Sequence, residues 1–165
     1  MNSNEMSPID WAKRPITEKY ADFRGRAPRA EYWWFYLAYL ITYIIASIVD
    51  SIVGTWIFRL LVVLAAFLPM LGASVRRLHD TNRTGWWLLG PIVPYAIAFA
   101  LLGPSLMSGG GGLLSVSLGL AGLFLLLGAV CAIVLLVFMV LPGTPGENRY
   151  GPNPYGAGEA VTAAQ

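Results

Sequence analysis

Four long apolar stretches constrain this chain more than any other feature of its sequence. They run from Trp33 to Val53, from Thr55 to Ala73, from Trp86 to Leu102 and from Leu113 to Leu141. A helix rises about 1.5 Å per residue, so roughly 20 apolar residues cross the hydrocarbon core of a bilayer. The stretches therefore predict an all-α integral membrane protein with four transmembrane helices joined by short loops.

The composition excludes an ordinary soluble domain. Hydrophobic residues make up 56% of the 165 residues and charged residues only 12%, whereas soluble domains carry about a quarter charged residues. The residues before the first stretch lack an apolar core next to a small-residue cleavage site, so we expect the N-terminal segment to be retained. The single cysteine, Cys131, lies within the fourth stretch, which leaves no partner for an intrachain disulfide.

The chain divides into three parts along its length. We expect residues 1–22 to form a polar N-terminal segment, residues 23–154 to form a four-span membrane domain, and residues 155–165 to form a disordered tail. Within the membrane domain, the segment from Ser108 to Gly112 contains four consecutive glycines. Because such a run cannot hold one conformation cheaply, we expect a flexible connector between the third and fourth spans.

The N-terminal segment contains a candidate interfacial helix. Ile9 to Phe23 has a weakly amphipathic pattern, in which Trp11 and Tyr20 would anchor the helix at the membrane surface and Pro15 would break it.

The distribution of Lys and Arg predicts the orientation in the membrane. Six basic residues precede the first span, three lie between the second and third spans, and one follows the fourth. The positive-inside rule assigns such regions to the cytoplasm. Four crossings therefore predict that both termini are cytoplasmic.

The remaining basic residue, Arg59, indicates a tight hairpin between the first two spans. Asp50 ends one span, Arg59 begins the next, and Gly54 lies between them. Because a charge near a membrane end must snorkel, pair or contact water, we expect these two side chains to form an ion pair. A structural lock is favoured over an ion site, which stays open as the alternative.

Three polar segments at the borders of the spans carry the most distinctive residues. The sequence FRGRAPRAEYWWF runs from Phe23 to Phe35, RRLHDTNRTGWW from Arg76 to Trp87, and PGTPGENRYGPNP from Pro142 to Pro154. The first two run from a basic turn into paired tryptophans, which are typical of a membrane interface. The third has too many Gly and Pro residues for a helix and predicts successive turns. Four crossings would bring all three segments to one membrane face.

In this order between apolar spans, the three segments resemble the YhaH-like family of bacterial inner-membrane proteins, catalogued as domain of unknown function eight-hundred-and-five. The resemblance covers about Phe23 to Pro154. It implies a small polytopic protein of the bacterial inner membrane. It brings no established activity, substrate or catalytic residue, so the functional prediction depends on the residues themselves.

The sequence contains no recognisable catalytic or metal-binding constellation. His79 and Asp80 are the adjacent pair that suggests a metal site or a general base, but the chain has no second His, and a stable metal site needs three or four ligands. Glu31 or Glu147 could join them only if the polar segments converge. Neither a Ser-His-Asp order nor a nucleophile elbow is present. We therefore predict no enzymatic activity and no cofactor.

The arginines of the polar segments are the strongest candidate for a site. Guanidinium groups make planar, bidentate contacts with carboxylate or phosphate, so they either pair with acids inside the protein or bind anionic lipid head groups or a partner protein. The predicted platform consists of Arg24, Arg26, Arg29, Glu31, Trp33, Trp34, Arg76, Arg77, His79, Asp80, Trp86, Trp87, Asn148, Arg149 and Tyr150.

We therefore predict a non-enzymatic membrane module whose cytoplasmic platform binds anionic lipid or a membrane-protein partner. The stripe of Ser115, Gly119 and Gly122 predicts a close-packing helix face, within the chain or between two copies. The alternative is a small oligomeric transporter or channel, suggested by Pro91 and Pro94 in the third span and by the pair of Asp50 and Arg59. Nucleic acid is excluded as a partner because the net charge is only +2 and acids are interleaved with the N-terminal basic residues.

Overall fold

The computed structural model describes residues 6–107 and 112–155, and the chain is mainly helical in these ranges. The helices are α1 Pro8–Thr17, α2 Arg29–Val53, α3 Ile57–Asp80, α4 Leu89–Met107 and α5 Gly112–Val140, with one 3-10 turn, Gly85–Leu88, before α4. Four helices are long and apolar enough to cross a membrane, so the predicted all-α, four-span architecture is confirmed. Residues 108–111 of the predicted connector and residues 156–165 of the predicted tail lie outside the described residues.

The described residues form two compact units. The first unit contains α1, α2, α3 and the turns that begin at Leu141. The second unit runs from Trp86 to Val140 and contains α4 and α5.

The helices α2 and α3 form a hairpin around Gly54. This glycine adopts a φ of +76°, which L side chains rarely adopt, and it ends α2. The carboxylate of Asp50 accepts hydrogen bonds from the N–H groups of Phe58 (3.1 Å) and Arg59 (2.9 Å) in the first turn of α3, and from the hydroxyl of Thr55 (2.8 Å). It also pairs with the Arg59 guanidinium at 3.1 Å. The expected ion pair is confirmed, and Asp50 caps α3 from the end of the preceding helix.

The helix α1 begins at a capping box. The Ser7 hydroxyl accepts from the N–H of Asp10 (3.3 Å), and the Asp10 carboxylate accepts from the N–H of Ser7 (3.1 Å). The prediction that Pro15 breaks this helix was wrong, because α1 continues through Pro15. The helix predicted to reach Phe23 ends at Thr17. Pro15 lies one turn after Trp11, and both side chains are buried where α1 packs against α2 and α3. Burial of this face offsets the hydrogen bond that proline cannot donate.

In the second unit, α4 and α5 pack closely at Gly128. A Cβ added there would lie 2.8 Å from the ring of Tyr95, so the ring requires glycine at this position. The close-packing face predicted from Gly119 and Gly122 is not used within the described residues, since a Cβ at either position would meet open space. Pro91 is the third residue of α4, where the missing N–H costs little.

Candidate functional site

The helix α3 changes character along its length. Its first half, up to Leu68, exposes large apolar side chains, as expected for contact with lipid. Its second half is buried, including Arg76, Arg77 and Asp80. Two irregular segments cover this second half, residues 18–28 and the turns after Leu141, as the following contacts show.

Residues 18–28 run beside α3 without regular structure. The Tyr20 hydroxyl donates to the carbonyl of Ala65 at 2.9 Å, and further along the N–H of Ala27 donates to the carbonyl of Arg76 at 3.0 Å. Between these points the Asp22 carbonyl passes so close to α3 that a Cβ on Gly72 would lie 3.2 Å from it. The segment is therefore fixed to α3 over several turns.

Arg76 donates hydrogen bonds to backbone carbonyls of this segment. Its guanidinium donates to the carbonyls of Lys19 (3.4 Å) and Asp22. Irregular backbone beside a membrane needs such partners, because lipid offers no hydrogen bonds. A single fully buried side chain thus connects α3 to two successive turns of the N-terminal segment.

Glu31 is the acid that joins the three helices of the first unit. Its Oε1 accepts from Arg76 Nη2 at 2.8 Å, and its Oε2 accepts from Arg14 Nη1 at 3.4 Å. Glu31 and Arg76 are fully buried, whereas the Arg14 side chain is 25% exposed. Glu31 also lies in the first turn of α2, where the helix dipole favours a negative charge.

Asp80 is the second acid at this end of α3. Its carboxylate accepts from Arg26 Nε at 2.9 Å and from Arg77 Nη1, and all three side chains are at most 5% exposed. Its backbone carbonyl accepts from the N–H (2.9 Å) and the hydroxyl (3.2 Å) of Thr144. A Cβ on Gly143 would fall onto the Asp80 carboxylate. The turns after α5 therefore approach Asp80 so closely that only glycine fits.

The guanidinium groups of Arg26 and Arg77 also organise these turns. Arg26 donates to the carbonyls of Thr144 (2.7 Å), Gly146 (2.6 Å) and Gly151 (3.4 Å), and Arg77 donates to the carbonyl that follows α5 at Leu141. Such contacts use the five N–H donors of arginine in a planar fork, which the compact ammonium of lysine cannot reproduce.

His79 binds both irregular segments. Its Nδ1 lies 3.1 Å from the carbonyl of Gly25, so this nitrogen carries the proton. Its ring stacks on Tyr150 with centroids 3.7 Å apart, and the guanidinium of Arg149 lies 4.8 Å from the Tyr150 ring centroid. Asn148 Nδ2 donates to the His79 carbonyl at 3.0 Å. His79 thus works here as a packing and hydrogen-bonding residue.

We define the arginine–carboxylate cluster as the four guanidinium and two carboxylate groups that hold these segments together. Its members are Arg14, Arg26, Arg76, Arg77, Glu31 and Asp80. The surplus positive charge is stabilised by the backbone carbonyls described above. In the part of the chain that the structure describes, no group of three His, Cys, Asp or Glu side chains lies close enough to hold a metal ion.

The predicted platform separates into buried and exposed residues. Those buried are Arg26, Glu31, Arg76, Arg77 and Asp80, and those partly buried are Trp33, His79, Asn148 and Tyr150. Those exposed are Arg24, Arg29, Trp34, Trp86, Trp87 and Arg149, of which the two tryptophans at 86 and 87 belong to the second unit. Of the alternatives open for the arginines, pairing inside the protein is the one observed for Arg26, Arg76 and Arg77.

Sequence reasoning missed three residues of this site. The sequence predicts only a basic charge for Arg14, which pairs with Glu31, and it does not predict the contacts that Gly143 and Thr144 make with Asp80. The one usable signal was the Pro-Gly-Thr-Pro-Gly sequence itself, because glycines and prolines in turns often mark close approach of the backbone to another element.

Comparison with known proteins gives the family. The family model described as "Protein of unknown function (DUF805)" matches residues 20–152, a range that contains every member of the cluster except Arg14. The chain is 30% identical to Inner membrane protein YhaH of Escherichia coli strain K12 over 156 residues, which cover 88% of this chain and 97% of YhaH. It is 33% identical to Inner membrane protein YhaI of the same strain over 141 residues, which cover 84% of this chain and 91% of YhaI.

No solved structure matches the chain. The resemblance carried by the three polar segments is confirmed by the family match. With its four apolar helices, the chain is a multi-pass membrane protein that belongs to the DUF805 family.

Proposed function

We propose that the protein is a non-enzymatic module of the bacterial inner membrane whose cytoplasmic face binds anionic phospholipid. The observation that carries this proposal is the division of the arginines into two sets. The buried set is engaged by carboxylates and carbonyls inside the protein. Arg24, Arg29 and Arg149 are exposed and pair with no carboxylate among the described residues, although Arg149 also donates to the Asn82 carbonyl at 2.9 Å. We call these three exposed arginines the basic rim.

The basic rim adjoins the cluster at the end of α3. Arg24 precedes Gly25, whose carbonyl binds His79, and Arg149 lies over Tyr150, which stacks on the same imidazole. Arg29 is the first residue of α2, two positions before Glu31. The cluster therefore acts as the frame that holds the rim in place.

The chemistry of the rim suits an anionic membrane surface. Each basic group close to an anionic leaflet contributes about 1 kcal/mol of binding free energy, so three contribute about 3 kcal/mol. Trp34, which is 41% exposed on α2, adds an aromatic ring of the kind enriched at membrane interfaces. Guanidinium groups bind lipid phosphates with two parallel hydrogen bonds.

The proposal requires the rim to face the cytoplasm, as the positive-inside rule predicts. The N-terminal segment and the turns after α5 both contact the same end of α3, so both should lie on one side of the membrane. A cysteine at Lys13 or Glu147, introduced into a Cys131→Ser background, should react with an impermeant maleimide only after the inner membrane is opened. Labelling of either position in intact spheroplasts would show that the rim faces the periplasm and would contradict the proposed orientation.

Lipid retention tests the function itself. After purification in mild detergent, the ratio of phosphatidylglycerol to phosphatidylethanolamine should exceed that of the membrane for the unmodified protein. The variant Arg24→Gln/Arg29→Gln/Arg149→Gln should lose this enrichment, and the corresponding Arg→Lys variant should keep it because the charges remain. Unchanged enrichment in the Gln variant would overturn the proposal. If crosslinked protein neighbours were lost instead, the rim would be a docking surface for a membrane-protein partner.

A further inference from the structure

The first unit carries an open groove along the irregular N-terminal segment. The groove encloses about 520 Å³ and is lined by residues 18–24. Its two acids already have partners, since Glu18 pairs with Arg14 at 3.2 Å and the Asp22 carboxylate accepts from the N–H of Arg24 at 3.0 Å. The basic side chains of the lining are Lys19 and Arg24.

Lys19 is the unusual residue of this lining. Among the described residues its ammonium has neither a hydrogen-bond acceptor nor an ion-pair partner, although the side chain is partly buried. Burial lowers the pKa of Lys19. The negative charges of Glu31 and Asp22 oppose this effect, and the positive charges of Arg14 and Arg76 add to it. An anion beside the ammonium would offset both the burial and the repulsion.

Arg76 does not line the groove itself but contacts the backbone of two residues that do. Its Nη1 donates to the carbonyls of Lys19 and Asp22, which belong to the lining, and its fully buried Nε has no hydrogen-bond partner in the described part of the chain. Arg76 is paired with Glu31 at 2.8 Å, but its guanidinium still places a positive charge directly behind the backbone of the lining, and a positive charge beside a groove favours an anionic ligand.

The groove opens beside the lipid-facing part of α3. Tyr20, which lines the groove, donates to the carbonyl of Ala65, and Ala65 precedes Asp80 by 15 residues, or about 22 Å of helix. Leu61 and Leu68 lie on the same face of α3 as Ala65 by helical spacing, and they are 56% and 40% exposed. A polar site thus lies next to a continuous apolar stripe, as a lipid with a head group and acyl chains requires.

We infer that this groove binds the phosphate of a membrane phospholipid, with Lys19 as its direct ligand and the acyl chains along the apolar stripe of α3. The inference rests on the proposed lipid-binding function and deepens it, because it assigns one lipid to a built site instead of a general attraction to the leaflet. The recognised group is the phosphate, which phosphatidylglycerol and phosphatidylethanolamine share, so the groove should accept both.

Native mass spectrometry of the delipidated protein tests the site. Phosphatidylglycerol should bind with one tight equivalent, and Lys19→Gln should weaken that equivalent by about tenfold, which corresponds to about 1.4 kcal/mol. Lys13→Gln is the matched control, because Lys13 is exposed on α1 and does not line the groove. Equal binding by the Lys19→Gln variant and the unmodified protein would overturn the inference, and so would equal binding of diacylglycerol, which has no phosphate.

A second measurement needs no variant. Acetylation of Lys19 by a water-soluble reagent should slow about fivefold when phosphatidylglycerol or phosphatidylethanolamine is added, whereas acetylation of Lys13 should not change. Inorganic phosphate alone should protect neither residue. Protection by inorganic phosphate would mean a site for free phosphate and would overturn the lipid assignment. The two proposals can be overturned independently. Protection of Lys19 by either lipid tests the groove, whereas enrichment of phosphatidylglycerol over phosphatidylethanolamine tests the basic rim.

Discussion

Arg26 donates to one carboxylate and three backbone carbonyls, and this number of contacts explains why arginine occupies the position. Lysine has the same positive charge and would follow the positive-inside rule equally well. It has only three hydrogen-bond donors, however, and all three are on a single atom. The sequence shows that the polar segments prefer arginine to lysine, and the structure gives the reason. Arg26 and Arg76 each donate to more than one carbonyl of irregular backbone, and Arg77 donates to the carbonyl of Leu141.

Glu31→Gln tests the energetic role of the buried pairs. The substitution keeps the side-chain volume but leaves Arg76, which is fully buried, without a carboxylate. We expect a loss of about 3 to 5 kcal/mol of unfolding free energy, because breaking one partner of a buried pair strands the other charge. Denaturant unfolding in detergent measures this loss. The exposed Glu147→Gln should change the unfolding free energy by less than about 0.5 kcal/mol, and an equally small effect at Glu31 would contradict the assignment.

Gly143→Ala tests the contact between the turns after α5 and Asp80. The new methyl group would occupy the position of the Asp80 carboxylate, so the turn must move and weaken the bonds to Arg26 and Arg77. We expect a loss of about 2 kcal/mol or more in unfolding free energy. Gly119→Ala in α5 is the control, since its Cβ would meet open space and alanine favours a helix. Equal thermal stability of both variants would argue against the close approach.

At the scale of helices, hydrophobicity predicted where α3 begins better than where it ends. The apolar stretch ends at Ala73, but the helix continues to Asp80 because Arg76, Arg77 and Asp80 find partners on other segments. Hydrophobicity reports transfer of a residue into lipid, and it cannot report burial of a charge against a distant partner. For the same reason Pro15 misled the prediction for α1, since tertiary packing of Trp11 and Pro15 outweighs local propensity.

The capping box of α1 predicts a pH dependence of this helix. Hydrogen bonds from the Ser7 hydroxyl and N–H hold the pKa of Asp10 below its usual value. A lowered carboxyl pKa contributes stability that is complete above the unfolded pKa of about 4 and is lost as the pH falls through the folded value. Hydrogen exchange of the α1 amides, corrected for intrinsic rates, should therefore show constant protection from pH 8 to about 5 and lower protection below about pH 4.

Two variants test whether the capping box of Ser7 and Asp10 causes this pH dependence. Ser7→Ala should lower the protection of α1 by about 1 kcal/mol at neutral pH, which is the usual contribution of such a cap. Asp10→Asn should remove the loss of protection in acid. A loss in acid that persists in Asp10→Asn would assign the titration to a different group.

At the scale of the whole molecule, the sequence predicted the number of spans, the family and the hairpin pair of Asp50 and Arg59. These features depend on composition, on motif order and on residues close in the chain. The contents of the cluster could not be predicted in the same way. Arg26 and Asp80 are separated by 54 residues and Arg76 and Glu31 by 45, and no local pattern indicates which arginine meets which acid and which remains exposed.

The cluster unites chain regions that are distant in sequence. Its arginines and acids join the N-terminal segment, the end of α3 and the turns after α5 within the first unit. Both the basic rim and the groove at residues 18–24 consist of residues that this frame positions. The buried arginines are therefore internal ties of the first unit, and we propose that ligands bind the exposed or partly exposed basic residues beside them.

Limited trypsin digestion tests most directly whether the buried arginines hold these chain regions together. The product to follow by mass spectrometry is the fragment that begins at Tyr150. Arg149 is exposed, but its peptide bond belongs to turns held by Arg26 and Asp80, so cleavage should be slow in the unmodified protein. Asp80→Asn or Arg26→Gln should accelerate cleavage at Arg149 at least tenfold, although position 80 lies far away in sequence, while Glu147→Gln should not. Equal cleavage rates in all four proteins would contradict the account.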